Sequence, residues 1–309
     1  MRILFFILIL FSNLVLSQAE LLNAEIPVEI EGKSVNEVTL LKYLDVEEND
    51  VLWSKIVYEE IDLNEKLNFP LLFPFEEAEL IGRKSLFRII REYIIKGVEN
   101  DSVDLQIYKF DNFAAKDKYK KTDVLNVFSY TKTSEAIIQQ LMDEGISRDE
   151  ATKQATQPVY VSSNEVGGYK IKGIWYFDKR NSELKYRLLG IMPLIADPDE
   201  LAGKKPNSGK LNFESVWIWY PSIREELNKH FVFNDRNNES RITFDALLIN
   251  RRFNSFIYKY DNVYGNRKIE DYIKQRPGES DESYRIRFIL ESERIKKEIL
   301  DFENDMWGY

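Results

Sequence analysis

The clearest pattern along the chain is an alternation of apolar and polar positions between residues 169 and 195. An aromatic and β-branched run at 169–177 is followed by polar residues typical of a turn at 178–182. Leucine and tyrosine then alternate with lysine and arginine at 184–188. This spacing predicts a β-hairpin with one covered face.

A third strand is predicted at 216–220, where Pro221 is expected to end it. On a strand, Trp217 and Trp219 point to the same face and Ile218 points to the other, because side chains alternate. A glycine-, proline- and serine-containing stretch at 197–209 separates this strand from the hairpin and predicts a long loop.

Apolar residues at helical spacing predict two main helices. The first covers 85–96 and is expected to stop at Gly97, and the second covers 280–306. The second carries one apolar stripe, formed by Tyr284, Phe288, Ile295, Ile299, Phe302 and Met306. Shorter helices are predicted at 222–229 and 267–274, and after the capping residues Ser134, Ser147 and Thr243. The predicted fold class is α+β, with a small antiparallel sheet, helices packed against it and a long C-terminal helix.

The N-terminal residues have the pattern of a secretory signal peptide. Arg2 precedes an unbroken apolar run at 3–11, and small residues, including Ser17, occupy the positions of a cleavage site. We expect cleavage between Ser17 and Gln18, which assigns 1–17 to the signal peptide. The alternative is an uncleaved anchor, but the apolar stretch is shorter than the ~20 residues that a spanning helix needs.

The remaining chain divides by composition into an arm and a domain. Residues 18–50 are acidic and weakly periodic, which predicts an N-terminal arm. Residues 51–309 are predicted to form a single α+β domain. Within it, the lysine-, aspartate- and threonine-rich segment 111–168 is a candidate insertion whose flexibility stays open.

Composition excludes several classes of protein. The chain has no cysteine and one histidine, which excludes disulfides, thiolate or multi-histidine metal sites and cysteine nucleophiles. A net charge of −9 argues against a general nucleic-acid binder. Secreted eukaryotic domains commonly carry disulfides, so an exported chain without cysteine is typical of the bacterial periplasm.

Motifs that would indicate catalysis are missing from the sequence. It contains no nucleophile elbow, phosphate-binding loop, dinucleotide fingerprint or zinc-protease motif. His230 has no recognisable orienting partner, so a structural role is favoured over that of a general base. Carboxylates are abundant, but their spacing singles out no catalytic pair. The chain is therefore predicted not to be an enzyme, and no catalytic, cofactor or metal residue is assigned.

The aromatic residues are the positive feature of the composition. Large aromatic side chains either fill a core or form the energetic centre of an interface. The candidates for these two roles are Trp53, Trp175, Trp217, Trp219, Trp307 and Tyr309. The functional alternative that uses them is an exported glycan-binding or glycan-hydrolysing protein, with aromatic platforms and carboxylates.

Several strings of the sequence resemble one bacterial family. In the first half they are DVLWSK (50–55), IDLNEK (61–66), KGIWYFDK (172–179) and SELKYR (182–187). In the second half they are WIWYP (217–221), ITFD (242–245), RRF (251–253), IYKYDNVYG (257–265), LESERIK (290–296) and FENDMW (302–307). In order and extent they resemble the gliding-motility protein family GldN, called PorN in non-gliding relatives. The resemblance covers about 50–309 and is weakest across 111–168.

The resemblance implies a periplasmic subunit of the type IX secretion system, which in gliding bacteria also supports movement. By this resemblance, members of the family form a ring with a GldK/PorK-type lipoprotein and contact the periplasmic region of a GldM/PorM-type protein. The family transfers no catalytic residue and no cofactor to this sequence. The expected partners are therefore that lipoprotein, the GldM/PorM-type region and other copies of the chain, without nucleic acid or direct membrane insertion. The expected location is the inner face of the outer membrane, where the lipoprotein holds the subunit.

Overall fold

An antiparallel β-sheet flanked by helices lies at the centre of the protein. The computed structural model describes residues 46, 50–75, 83–100, 104–232, 242–262 and 266–307. In these ranges the strands are β1 (Val51–Asp62), β2 (Ile107–Tyr108), β3 (Ser129–Thr133), β4 (Thr156–Tyr160), β5 (Val166–Asp178), β6 (Glu183–Ile195), β7 (Phe213–Glu214), β8 (Trp217–Trp219) and β9 (Phe256–Tyr260). The α-helices in the same ranges are α1 (Phe69–Leu72), α2 (Leu86–Glu99), α3 (Lys121–Val127), α4 (Glu135–Asp143), α5 (Arg148–Ala155), α6 (Pro198–Leu201), α7 (Tyr220–Asn228), α8 (Phe244–Ile249), α9 (Ile269–Tyr272) and α10 (Asp281–Trp307). The predicted α+β class with a long C-terminal helix is confirmed.

Most of these strands belong to one sheet, in the order β2-β8-β6-β5-β1-β9, with β7 pairing β6. All its strand pairs are antiparallel, and β3 and β4 form a separate two-stranded sheet. The predicted hairpin is confirmed as β5 and β6, in which Val166 pairs with Ile195 and Asp178 with Glu183. Its two strands of 13 residues each lie in the middle of the sheet.

The sheet is larger than predicted because β1, β2, β7 and β9 join it. β1 has 12 residues and lies between β5 and β9. Both of its faces are engaged, and it buries the charged residue Glu59, which is 1% exposed. Apolar alternation therefore does not reveal this strand.

The third predicted strand is shorter than expected. It ends at Trp219, and Tyr220 begins α7 with Pro221 in its first turn. A proline is tolerated there because the first N–H groups of a helix have no intrahelical partner. Pro221 thus opens a helix, and the prediction that it ends a strand after Tyr220 is wrong.

Helix α2 confirms the prediction over 85–96 but runs further. Ser85 caps it, since its side chain accepts a hydrogen bond from the Arg88 amide at 3.2 Å. The predicted stop at Gly97 is wrong, because the helix continues to Glu99. A Cβ at Gly97 would lie 2.3 Å from Leu105 Cδ2. Close packing, and not helix termination, explains this glycine.

Helix α10 lies against β9 with the predicted apolar stripe. Phe288, Ile295 and Ile299 are buried. The hydroxyl of Ser292 accepts a hydrogen bond from the Ile257 amide at 2.7 Å. The helix is thereby attached to the sheet by both apolar contacts and a hydrogen bond to a strand.

The buried apolar residues form two main clusters. One joins α2, α7 and α8 to the sheet. The other contains the buried residues of α10 and β9 together with Met192, Leu194 and Trp217. A small third cluster lies between α4 and α5, within the predicted insertion at 111–168. The ordered elements of that segment include the predicted helix after Ser147, whose hydroxyl accepts from the Glu150 amide at 3.4 Å.

Parts of the predictions fall outside the described residues. They include the signal peptide, its cleavage site at Ser17 and Gln18, nearly all of the acidic arm, Tyr309 and the side chain of Trp307. The division into signal peptide, arm and domain therefore stays a prediction. Across the described residues, we find no helix that combines the length and apolarity needed to cross a bilayer.

Candidate functional site

One face of the sheet brings together aromatic rings and lysines from distant parts of the chain. Tyr58 on β1 is the register partner of Lys172 on β5 and of Lys259 on β9. Register partners share a face, so the two lysines flank the tyrosine. Lys172 pairs with Gly190 on β6, and Gly190 pairs with Trp219 on β8. Trp219 therefore lies on the same face.

A loop after β2 closes over this face. The Phe113 ring contacts Trp219 and Tyr108 edge-on, with centroids 4.9 and 5.4 Å apart, and lies 6.3 Å from Trp217. We call this group the Phe113 cluster, and define it as Tyr58, Tyr108, Asp111, Phe113, Lys172, Trp217, Trp219 and Lys259. The two tryptophans that the sequence placed on one face both belong to it.

Backbone geometry at this loop is unusual. Phe113 has φ 51, a left-handed value that is rare for a bulky side chain. Gly190 lies beneath it, and a Cβ there would be 2.4 Å from Phe113 Cζ. The strained residue and the glycine that accommodates it indicate that a specific position of the Phe113 ring is required.

Asp111 connects the loop to both lysines. Its carboxylate accepts a hydrogen bond from Lys259 Nζ at 3.0 Å, and its backbone carbonyl accepts one from Lys172 Nζ at 2.6 Å. Lys259 Nζ also lies 4.2 Å from the centroid of the Tyr58 ring, and Lys172 Nζ lies 5.3 Å from that of Phe113. Cation–π contacts thus support the ion pair.

Burial dominates the protonation behaviour of the cluster. Burial, reinforced by the charge of Asp111, raises the pKa of the Tyr58 hydroxyl. Burial also lowers the pKa of Lys172, against the opposing effect of Asp111. At Asp111 burial alone would raise the pKa, but the hydrogen bond and charge of Lys259 outweigh it, so the pKa lies below its ordinary value. Asp111 is therefore a carboxylate that fastens the loop to the sheet.

Trp175 occupies a second polar cluster, on the other face of the sheet. Glu59 accepts hydrogen bonds from Arg251 Nη2 at 2.7 Å and from Ser255 Oγ at 2.6 Å. The Arg251 guanidinium lies 4.2 Å from the Tyr186 ring centroid and 5.3 Å from that of Trp175. Burial alone would lower the pKa of Arg251, but the charge of Glu59 raises it. This arrangement binds the segment after α8 to β1.

The remaining predicted aromatic position in the described chain is Trp53. It stacks on Phe302 of α10, with ring centroids 4.6 Å apart and planes at 18°. Trp53 is therefore a contact between β1 and the C-terminal helix, distant in sequence from its partner.

His230 lies near Glu226, one turn earlier in the chain. Its Nε2 is 3.8 Å from Glu226, too far for a hydrogen bond. Burial, together with the charge of Lys84, lowers its pKa, which favours the neutral imidazole.

A lysine of β5 lies between two carboxylates at the sheet, Glu60 of β1 and Glu214 of β7. Burial raises the pKa of Glu60, although the charge of Lys170 opposes this. Lys170 Nζ lies 3.9 Å from Glu60 and 2.5 Å from Glu214, so the lysine bridges the two carboxylates. Within the described ranges, no group of three or more potential ligands could hold a metal ion.

Sequence reasoning found Trp217 and Trp219 but missed Tyr58, Asp111, Phe113 and the two lysines. No sequence motif or spacing distinguishes these residues from other strand and loop residues. Only the pairing of β1 with β5 and β9 brings them together.

These features define an α+β protein whose distinctive sites are aromatic and ionic contacts between elements. A profile of the family described as gliding motility associated protein GldN matches residues 46–308. The match covers nearly the whole chain, so the protein belongs to the GldN/PorN family. Members of this family are components of the gliding-motility and type IX secretion machinery. The family is not a known enzyme family. A comparison with curated protein sequences found no match.

Proposed function

We propose that the protein is a non-catalytic periplasmic subunit of the type IX secretion and gliding machinery. In this role it forms a ring with a GldK/PorK-type lipoprotein, self-associates within that ring and contacts the periplasmic region of a GldM/PorM-type protein. The lipoprotein holds it at the inner face of the outer membrane. The observation that carries the proposal is the family match over residues 46–308.

The candidate site is consistent with a contact role. In the Phe113 cluster the rings pack edge to face, and a carboxylate and two lysines fix the covering loop. Phe110, at the tip of this loop, is 57% exposed. A loop that is attached to the sheet by such contacts and exposes an aromatic side chain is suited to a protein–protein contact surface.

The proposal is tested by recovering the protein from its own envelope. A tagged chain is purified from detergent-solubilised membranes, its partners are identified by mass spectrometry, and the particles are viewed by electron microscopy. We expect a lipoprotein to co-purify in ring-shaped particles of megadalton size. The same tag on an unrelated periplasmic protein is the control.

Recovery of the protein only as a small free species would contradict the proposal. A glycan-binding or glycan-hydrolysing protein would behave in this way and would bind or cleave soluble glycan fragments. The same preparation can be assayed for both properties, so one experiment separates the two functions.

A further inference from the structure

Helix α10 carries a second apolar stripe on the side opposite to its buried one. Ile286, Leu290 and Leu300 are 52%, 63% and 51% exposed, whereas Ile295 is fully buried. At about 100° per residue, the exposed stripe is centred roughly 180° around the helix from Ile295. Several large apolar side chains aligned on an exposed helix face mark an interaction surface.

The exposed face has the spacing of a coiled-coil seam. Its positions alternate in steps of four and three residues: Ile286, Leu290, Glu293, Lys297, Leu300 and Asn304. Such alternation keeps a seam directed at a partner helix over several turns. The centre of this seam is charged, since Glu293 and Lys297 are exposed, and leucines lie on both sides of them.

We propose that this face pairs with the same face of a second copy of the chain, with the two helices antiparallel. The two-fold axis crosses the seam at the level of Ile295, its midpoint. Leu290 then meets Leu300 of the second copy, and Glu293 meets Lys297 of the second copy. Each contact occurs twice, as an isologous interface requires.

Charge complementarity selects this occupant and this register. A parallel pair in register would place Glu293 against Glu293 and Lys297 against Lys297, and like charges across an interface are strongly unfavourable. An antiparallel pair shifted by one heptad would set Leu290 against Glu293, or Leu300 against Lys297. Only the unshifted antiparallel register joins leucine to leucine and glutamate to lysine.

Glu293 already has a partner within its own helix. Lys296 Nζ lies 2.9 Å from its carboxylate, and Lys296 also donates to the Ser255 carbonyl. A carboxylate has capacity for a further donor, so Lys297 of the second copy completes the pair without displacing Lys296.

The helix pairing specifies how the self-association proposed above would occur. It rests on the proposed function only in the role that the dimer would have within a ring. An isologous contact closes a dimer, so a ring would use other surfaces to join such dimers. A single helix pair is small for a specific interface. We therefore expect a weak dimer in solution that becomes stable where many copies are held together.

Charge reversal on the purified full chain tests the pairing. Lys297→Glu or Glu293→Lys places like charges together twice, so the dimer dissociation constant should rise about tenfold or more. The double variant E293K/K297E restores opposite charges and should restore the dimer. Asp305→Lys reverses an exposed charge of α10 that is not one of the seam positions and is the control. Analytical ultracentrifugation gives the dissociation constants, and circular dichroism checks that the helix is intact.

Orientation is tested with cysteines, which the chain otherwise lacks. Chains carrying Leu290→Cys and Leu300→Cys are mixed and treated with a short bismaleimide crosslinker. We expect crosslinks between the two different chains and few within either sample alone. Crosslinking of Leu290→Cys to itself would overturn the antiparallel arrangement.

The remaining outcomes also decide the proposal. A wild-type chain that stays monomeric up to about 1 mM would overturn it, since even a small interface is occupied at that concentration. Charge-reversed variants that dimerise normally would also overturn the proposal. The same holds for a dimer that is lost when residues 18–45 are removed, because α10 is unchanged in that variant. If the Lys297→Glu variant is monomeric but still binds the lipoprotein, the proposed function is not contradicted. If the wild-type protein dimerises but no lipoprotein co-purifies with it, only the proposed function is contradicted.

Discussion

At the scale of single residues, Gly190 and Phe113 depend on each other. The glycine leaves the space that the phenylalanine ring occupies, and the ring in turn covers Trp217 and Trp219. Neither residue carries a charge, so their mutual contribution is one of packing. Packing in a filled region tolerates little added volume.

The first prediction is that Gly190→Ala destabilises the protein by about 1–3 kcal/mol, the usual cost of overpacking. The added Cβ would lie 2.4 Å from Phe113 Cζ. In a Phe113→Ala background, the same substitution should cost much less because the clash is gone. Urea unfolding of the four proteins measures the coupling. Equal costs in both backgrounds would show that the two residues are independent.

Asp178 is a second residue whose role follows from its contacts. It ends β5, and its side chain is fully buried at the turn of the hairpin. Its carboxylate accepts hydrogen bonds from Lys185 Nζ at 2.9 Å, the Arg180 amide at 3.0 Å and Asn181 Nδ2 at 3.0 Å. These donors, led by Lys185, lower the pKa of Asp178 from 3.8 to about 2.

The second prediction concerns pH. A carboxyl whose pKa is lower in the folded state stabilises it above the unfolded pKa, near 4, and loses that effect as pH falls towards about 2. Asp178→Asn should therefore be less stable than the wild type at pH 6, and the difference should shrink between pH 4 and 2. Glu183→Gln, at an exposed neighbouring position, is the control. A difference that does not change with pH would mean that the ionised form is not what stabilises the turn.

At the scale of secondary-structure elements, an ion pair connects two helices that flank the sheet. Arg224 on α7 donates to both oxygens of Asp245 on α8, at 2.9 and 3.0 Å, and Tyr220 donates to the same carboxylate at 2.9 Å. Arg224 and Asp245 are 6% and 1% exposed. A bidentate pair this deeply buried fixes the relative position of the two helices.

The third prediction is that Asp245→Ala lowers the free energy of unfolding by about 3–5 kcal/mol, because it leaves Arg224 buried without its carboxylate. The double variant R224L/D245L should be less destabilised than Asp245→Ala, since no unpaired charge remains. Chemical denaturation measures both. A double variant as unstable as the single one would assign the effect to lost packing.

Sequence patterns predicted the elements that have one apolar side and one polar side. The β5–β6 hairpin and the buried stripe of α10 each have one apolar side, and both were found. β1 was missed because charged residues interrupt the apolar pattern on one of its sides. Glu59 pairs with Arg251, and Lys55 pairs with Glu298, about 190 and 240 residues away in the sequence. The ends of α2 and α7 were wrong because packing at Gly97 and helix initiation at Pro221 overrode the usual local preferences.

The candidate site was harder to predict than the fold, for the same reason. Trp217 and Trp219 were assigned to one face because strand alternation is a local rule. Asp111 and Phe113 meet them only after the sheet is assembled. A loop residue's contact with a lysine 148 positions away leaves no periodic signal in the chain.

At the scale of the whole molecule, the proposed function requires that the protein first reach the periplasm. Its predicted export signal, 1–17, lies outside the described residues. Export is therefore the step on which the proposed function depends most directly.

The last prediction is that the protein is exported and its mature chain begins at Gln18. Ser17 occupies the position directly before the predicted cut, which signal peptidase requires to be small. Ser17→Leu should therefore block processing, and the retained apolar segment should keep the protein in the membrane fraction. Ser12→Leu makes the same change upstream of the cleavage motif and serves as the control that processing tolerates. N-terminal sequencing and cell fractionation follow both variants. A wild-type protein that retains Met1 would contradict cleavage, and one found in the cytoplasmic fraction would remove the basis for every periplasmic partner proposed above.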